Sequence, residues 1–233
     1  MLGKRAKILS DTNIRDLLAF TTRTRHPLRN RVIVLLSIKA GLRAGEIANL
    51  TWPMVTDSTG EVGAVLALED RVAKKKSGRV IPLHPVLRDG LTRLRRTATG
   101  DGPVIPSERG GPMTPLSIVN WFTTAYRAIG VTGCSSHSGR RTFVTRAARL
   151  VDKAGGSLRD VQLLAGHRSI LTTQHSIWRY CAQACFDICN GNRIDDRTRC
   201  NNTACALYSR CDRRVLRGAT SEKLAKSSIL SSA

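Results

Sequence analysis

Apolar positions recur at helical spacing along most of the first three quarters of this chain, and the period changes once. Ser10-Asp11-Thr12 followed by Ile14, Leu17, Leu18 and Phe20 predicts a capped amphipathic helix. Pro27 suits the first turn of a second helix, in which Val32, Val34, Leu35, Leu36 and Ile38 are dense enough for a largely buried element ending at Gly41. A short third helix follows Arg43, with Ile47 and Leu50 on one face. Between residues 62 and 83 the spacing drops to two: Val62, Ala64, Leu66 and Leu68 alternate, and Arg79-Val80-Ile81-Pro82-Leu83 resumes after Lys74-Lys75-Lys76-Ser77-Gly78. This predicts a β-hairpin with a basic tip. Helical patterning returns after His84-Pro85 to about Arg96, after Thr114-Pro115 to about Ile129, from about His137 to Leu150, and after Ser157 through Leu158, Val161, Leu163 and Leu164 to a C-cap at Gly166. The Gly- and Pro-rich stretch from Thr97 to Pro115 is predicted to be a loop. The expected fold class is mainly α with one small antiparallel β-sheet (α+β).

Composition adds a partner class. The 233 residues carry a formal charge of +21 and a pI near 10.9, which points to a polyanion, nucleic acid ahead of a membrane surface. The charge is not a tail property. Residues 1–180 hold 29 Lys and Arg against 12 Asp and Glu, so +17 lies ahead of residue 181. No run approaches 18 apolar residues, and the N-terminal Met1-Leu2-Gly3-Lys4-Arg5 leads into a polar helix start, so the cytoplasm is the expected compartment. Six of the seven cysteines crowd into residues 181–211 at spacings without a Cys-x2-Cys knuckle, so neither a zinc site nor a disulfide framework is expected. No cofactor or metal is expected: there is no P-loop, no dinucleotide fingerprint and no carboxylate cluster.

Candidate chemistry centres on His137-x-x-Arg140, whose side chains share one helix face about a turn apart. Arg43 at a helix start adjoins free backbone N–H groups, which suits an anion; the blander alternative is a surface arginine paired with Glu46 at i+3. His167 follows the helix-ending Gly166. The lysine tip at Lys74–Lys76 is either simply solvated or able to reach a groove or a phosphate. Arginine forks bind phosphate bidentately and stay charged, so the set suits a phosphodiester; the competing reading makes His137 and His167 satisfied core histidines.

Four blocks occur in order: Ala40-Gly41-Leu42-Arg43-x-x-Glu46-Ile47, the lysine hairpin leading to Ile81-Pro82-Leu83, His137-x-x-Arg140-Arg141-Thr142-Phe143, and Leu164-x-Gly166-His167-x-Ser169-Ile170-x-Thr172-Thr173-Gln174. In these the chain resembles the catalytic domain of tyrosine recombinases, the phage-integrase family, across about residues 10–174. The resemblance implies a DNA recombinase or integrase that cuts and rejoins DNA through a 3′-phosphotyrosyl intermediate in integration or excision of mobile DNA. It further implies double-stranded DNA as partner, with self-association as tetramers on it. By resemblance, Arg43 and Arg140 hold the non-bridging oxygens of the scissile phosphate. His137 is an acid/base, His167 is a second donor to the phosphate, and Glu46 orients the clamp. The lysine that protonates the leaving 5′-oxygen is assigned to Lys74, over Lys75 and Lys76, by counting back from Pro82.

Two departures stand out. The family's tyrosine nucleophile usually lies two residues after Thr-Thr-Gln, where this chain has Ser176; Tyr180, four positions later, is the nearest tyrosine and the candidate nucleophile. Patterning also deteriorates at that point, so residues 1–174 are expected to form the catalytic domain and residues 175–233 a divergent Cys-rich tail. That tail is either out-of-frame translation beginning near His175 or a genuine divergent segment, and reading the gene in its other frames decides between them. The family pattern begins within about ten residues of Met1, so no separate core-binding domain is expected ahead of it. The alternative function is a catalytically inactive DNA-binding remnant of an integrase. A packing protein that uses charge alone is a third reading.

Overall fold

A helix that is apolar on all sides must be enclosed, and α2 (Pro27–Lys39) is the element the others enclose. Val32, Ile33, Val34, Leu35, Leu36 and Ile38 are all buried, and α1 (Asp11–Thr22), α4 (Pro85–Arg95) and α6 (Ser138–Val151) pack around them. The computed structural model describes residues 6–73, 77–151 and 154–174, which lie in one compact unit.

Local chemistry sets the helix ends. Ser10 accepts from the Asn13 N–H while the Asn13 side chain accepts from the Ser10 N–H, a reciprocal cap for α1. Thr114 caps α5 (Pro115–Ala128) through the Ser117 N–H at 3.1 Å, and Asp160 accepts from the Ser157 N–H at the start of α7 (Leu158–Ala165). The short α3 (Ala44–Ala48) packs on α5, whose Ile118, Phe122, Ala125 and Tyr126 form its buried face.

The hairpin is present but shorter than the alternation suggests. Strands β1 (Val65–Leu68) and β2 (Arg79–Pro82) pair antiparallel, with Leu66 opposite Ile81 and Leu68 opposite Arg79. Leu66, Leu68 and Ile81 face inward while Val65 and Val80 are exposed. Val62 instead bridges Thr56, outside the sheet. The lysine tip, residues 74–76, lies outside the described residues, and so does everything from His175 onward.

The stretch from Thr97 to Pro115 is a loop, as expected, but one that enters the core: Val104 and Ile105 are fully buried, and the Val104 N–H donates to Leu50 O at 2.9 Å. One patterning expectation needs correction. In α7 the buried face is Val161, Gln162 and Ala165, whereas Leu163 is 55% exposed. Val161 and Ala165 are one turn apart and pack with Val144 of α6, which leaves Leu163 on the far side.

The approach to α1 is tied to α6. The Leu9 N–H donates to Thr142 Oγ1 at 2.9 Å, Arg141 donates to Ala6 O at 2.7 Å, and Arg146 pairs with Asp11 at 2.5 Å.

Candidate functional site

Five elements meet around one carboxylate. After α2, Gly41 takes φ 65, a region that favours glycine, and a Cβ there would collide with the Phe143 ring. This reversal puts Arg43 at the start of α3 and Glu46 one turn in. Glu46 Oε2 accepts from the Arg43 N–H at 2.9 Å, and its Oε1 accepts from Arg43 Nη1 at 2.6 Å. The i+3 pair considered from the sequence is therefore present, but it is not a surface pair: the Glu46 side chain is 1% exposed and that of Arg43 22%.

Arg79, from β2, is the second cation on Glu46. Its Nη2 donates to Oε2 at 3.0 Å and its Nη1 to Oε1 at 3.3 Å, while its Nε donates to Leu164 O at 2.9 Å. Arg140, from α6, is likewise buried and donates through Nη1 to Gly41 O at 2.6 Å and through Nη2 to Ala165 O. Leu164 O and Ala165 O are among the last carbonyls of α7, which lack intrahelical donors. Two guanidinium groups therefore cap that helix end, where its dipole favours cations.

Gly166 closes α7 in the left-handed conformation, φ 59, and the next residue is His167. The His167 N–H donates to Gln162 O at 3.1 Å, the Gln162 side chain donates back to His167 O at 2.8 Å, and Nδ1 lies 2.9 Å from Thr173 Oγ1. The backbone of His167 is thus held by Gln162 and its ring by Thr173.

Electrostatics follow from this crowding. Burial alone would raise the Glu46 pKa, but the hydrogen bond and charge of Arg79, then those of Arg43, bring it down to about 2. Burial lowers Arg140 to about 9, aided by the charges of Arg43 and Arg79 against the opposing pull of Glu46; it remains a cation at neutral pH. Burial lowers His167 to about 4, with Arg140, Arg43 and Arg79 adding to the shift, so its ring is neutral at pH 7. Two guanidinium groups thus share one carboxylate, and a third, Arg140, lies within range of its charge beside a neutral imidazole. The uncompensated positive charge sits in a desolvated site, an arrangement that suits an incoming oxyanion.

The structure brings together Arg43, Arg140 and His167 with Glu46. His137 is exposed at the turn ahead of α6, its N–H donating to Ser135 Oγ at 3.3 Å, one turn from Arg140. Lys74 and Tyr180 lie outside the described residues. Tyr126, the one tyrosine among the described residues, is 2% exposed, stacked on Phe122, and its phenol pKa is raised by burial. It is a core residue. Arg79 was not singled out by the motifs, and Thr173 stands in the fourth block without a role assigned to it. For Arg79 the available signal is register, since it shares the inward face of β2 with Ile81. Among the described residues no group of three or more His, Cys, Asp or Glu could hold a metal, and no helix is long and apolar enough to cross a membrane.

Known proteins share both sequence and fold with this chain. The tyrosine recombinase XerC of Xylella fastidiosa (strain 9a5c) is 30% identical over 179 residues, covering 74% of this chain and 56% of the relative. XerD of Pseudomonas aeruginosa is 31% identical over 191 residues, covering 76% and 58%. The chain thus spans little more than half the length of these curated relatives. The XerA recombinase crystal structure aligns with TM-score 0.62 at 18% identity over 83% of this chain and 67% of the other. A lambda integrase dimer bound to a COC′ core site aligns with TM-score 0.58 at 18% identity, over 74% and 48%. At these identities the structural likeness is one of fold. The model of the phage integrase family matches residues 7–180, three quarters of the sequence, and the chain belongs to that family.

Proposed function

We propose that the chain cuts and rejoins double-stranded DNA as a site-specific recombinase, through a 3′-phosphotyrosyl intermediate. The observation that carries this reading is the convergence of Arg43, Arg140 and a neutral His167 around the buried Glu46. The remaining N–H donors of Arg43 and Arg140 hold the non-bridging oxygens of the scissile phosphate and stabilise the charge that grows on them. A ring that is neutral at pH 7 donates through one nitrogen while the other faces Thr173, so His167 serves as a hydrogen-bond donor rather than a cation. His137 is the acid/base on the nucleophile's side.

In the chemical step the Tyr180 oxygen gives up its proton to His137 and forms a bond to phosphorus while the bond from phosphorus to the 5′-oxygen breaks, and Lys74 gives that oxygen its proton. Rejoining runs the same steps backward from a free 5′-hydroxyl. Integration or excision of mobile DNA, and assembly of several copies on paired sites, belong to this reading. A solved lambda integrase tetramer is bound to a Holliday junction.

A pool of nicked duplexes of randomised sequence, in which the cleaved end diffuses away, tests the step. The expected result is a covalent protein–DNA adduct that survives denaturation and is abolished by Tyr180→Phe. Ser176 standing at the family's tyrosine position favours a second reading, an inactive DNA-binding remnant. Duplex binding without any adduct would establish that remnant and sink the recombinase.

A further inference from the structure

We propose that Arg79 is a positioning residue of this site, a buried strut that fixes the Gly166–His167 turn against Glu46 and so sets where His167 stands relative to Arg43. Its side chain is 5% exposed and has almost no access to solvent or to a bound polymer. Its donors are spent within the protein: the fork goes to both oxygens of Glu46, and Nε goes to Leu164 O at 2.9 Å, two residues before Gly166. One side chain therefore joins β2, α3 and the C-terminal end of α7. Arg140 makes the adjacent connection from α6, through Gly41 O and Ala165 O, so the α7 terminus is held by two guanidinium groups from different elements.

The glycine after α7 fits the same role. A Cβ at Gly166 would stand 2.9 Å from Arg79 Nη1, so that residue accommodates both the left-handed turn and the guanidinium beside it. A lysine at position 79 would keep the charge, but its single ammonium has no planar fork to span Glu46 and Leu164 O together.

The groups bearing on the His167 ring are Arg43 from α3, Arg79 from β2, Arg140 from α6 and Thr173 from the following turn. Removing the Arg79 charge and strut relaxes the ring's environment and makes protonation easier.

The test uses the full chain and reads histidine ring resonances by NMR against pH, with His167 assigned through His167→Gln. In the unsubstituted chain the His167 ring stays at its neutral position down to pH 5.5. In Arg79→Met its midpoint rises by a few tenths of a pH unit, since burial, Arg140 and Arg43 still act on the ring, and the Gly166 and His167 amide resonances move. An unchanged midpoint with unmoved amides overturns the proposal. Should Arg79→Met fail to give a folded spectrum, Arg79→Lys decides: the midpoint stays low while the Gly166 and His167 amides move, and unmoved amides again overturn it. This inference rests on the clamp reading for the importance of His167, but a ring titration does not depend on DNA cleavage. A chain that never cleaves DNA can still show the strut, and an active recombinase can still lack it.

Discussion

Glu46 is the residue on which the site's geometry depends most, because two arginines from different elements share its carboxylate. Breaking a buried ion pair from one side leaves charge without a partner, so Glu46→Gln should cost about 3–5 kcal/mol in urea unfolding. An effect below 1 kcal/mol would mean that the three guanidinium groups do not need it. His167 gives a pH signature of definite sign. Its ordinary value of 6.5 falls to about 4 in the folded chain, so between those values the unfolded state binds the extra proton. Stability should therefore fall as pH drops from about 6.5 to about 4, by roughly 1–3 kcal/mol in total, and His167→Gln should flatten that window. Glu46 acts in a separate range, its contribution being lost from about 4.5 down to about 2. Arg43, Arg140 and His167 are legible in the sequence because each stands in a short motif whose neighbours carry information. Arg79 is not, since an arginine just after three lysines passes for another cation of an exposed tip. Only its register with Ile81 places it inside.

Among the elements, the helices follow from caps and spacing: Ser10, Pro27, Thr114, Ser157 and Gly166 all stand at or next to the ends they predict. What periodicity does not carry is which stripe of a short helix meets which neighbour, as the exposed Leu163 and buried Gln162 of α7 illustrate. Nor does Gly- and Pro-rich composition reveal that Val104 and Ile105 are core residues, because loop backbone is placed there by pairing with Leu50, far away in sequence. The link between the approach to α1 and α6 is equally non-local. Thr142 Oγ1 accepts from the Leu9 N–H, 133 residues away. Thr142→Val keeps the shape and removes the acceptor, so it should cost about 1–3 kcal/mol and speed hydrogen exchange at Leu9. Unchanged exchange there would show that another group satisfies the amide.

For the whole molecule, the +17 carried by residues 1–180 predicts a wide basic footprint around the few arginines proposed to hold the phosphate. Affinity for random-sequence duplex should fall steeply with salt, the logarithmic slope being about −0.9 per phosphate contacted. A flat dependence would argue against DNA as the partner. Footprint and clamp separate under mutation, since a buried arginine contributes little to a diffuse field but much to a developing charge. The most direct measurement is single-turnover adduct formation on nicked duplexes at saturating protein, comparing the unsubstituted chain with Arg43→Ala and Arg140→Ala. The clamp predicts that each substitution slows adduct formation by at least about 100-fold while duplex affinity changes only a few-fold. Adduct formation at the unsubstituted rate in either variant would contradict it.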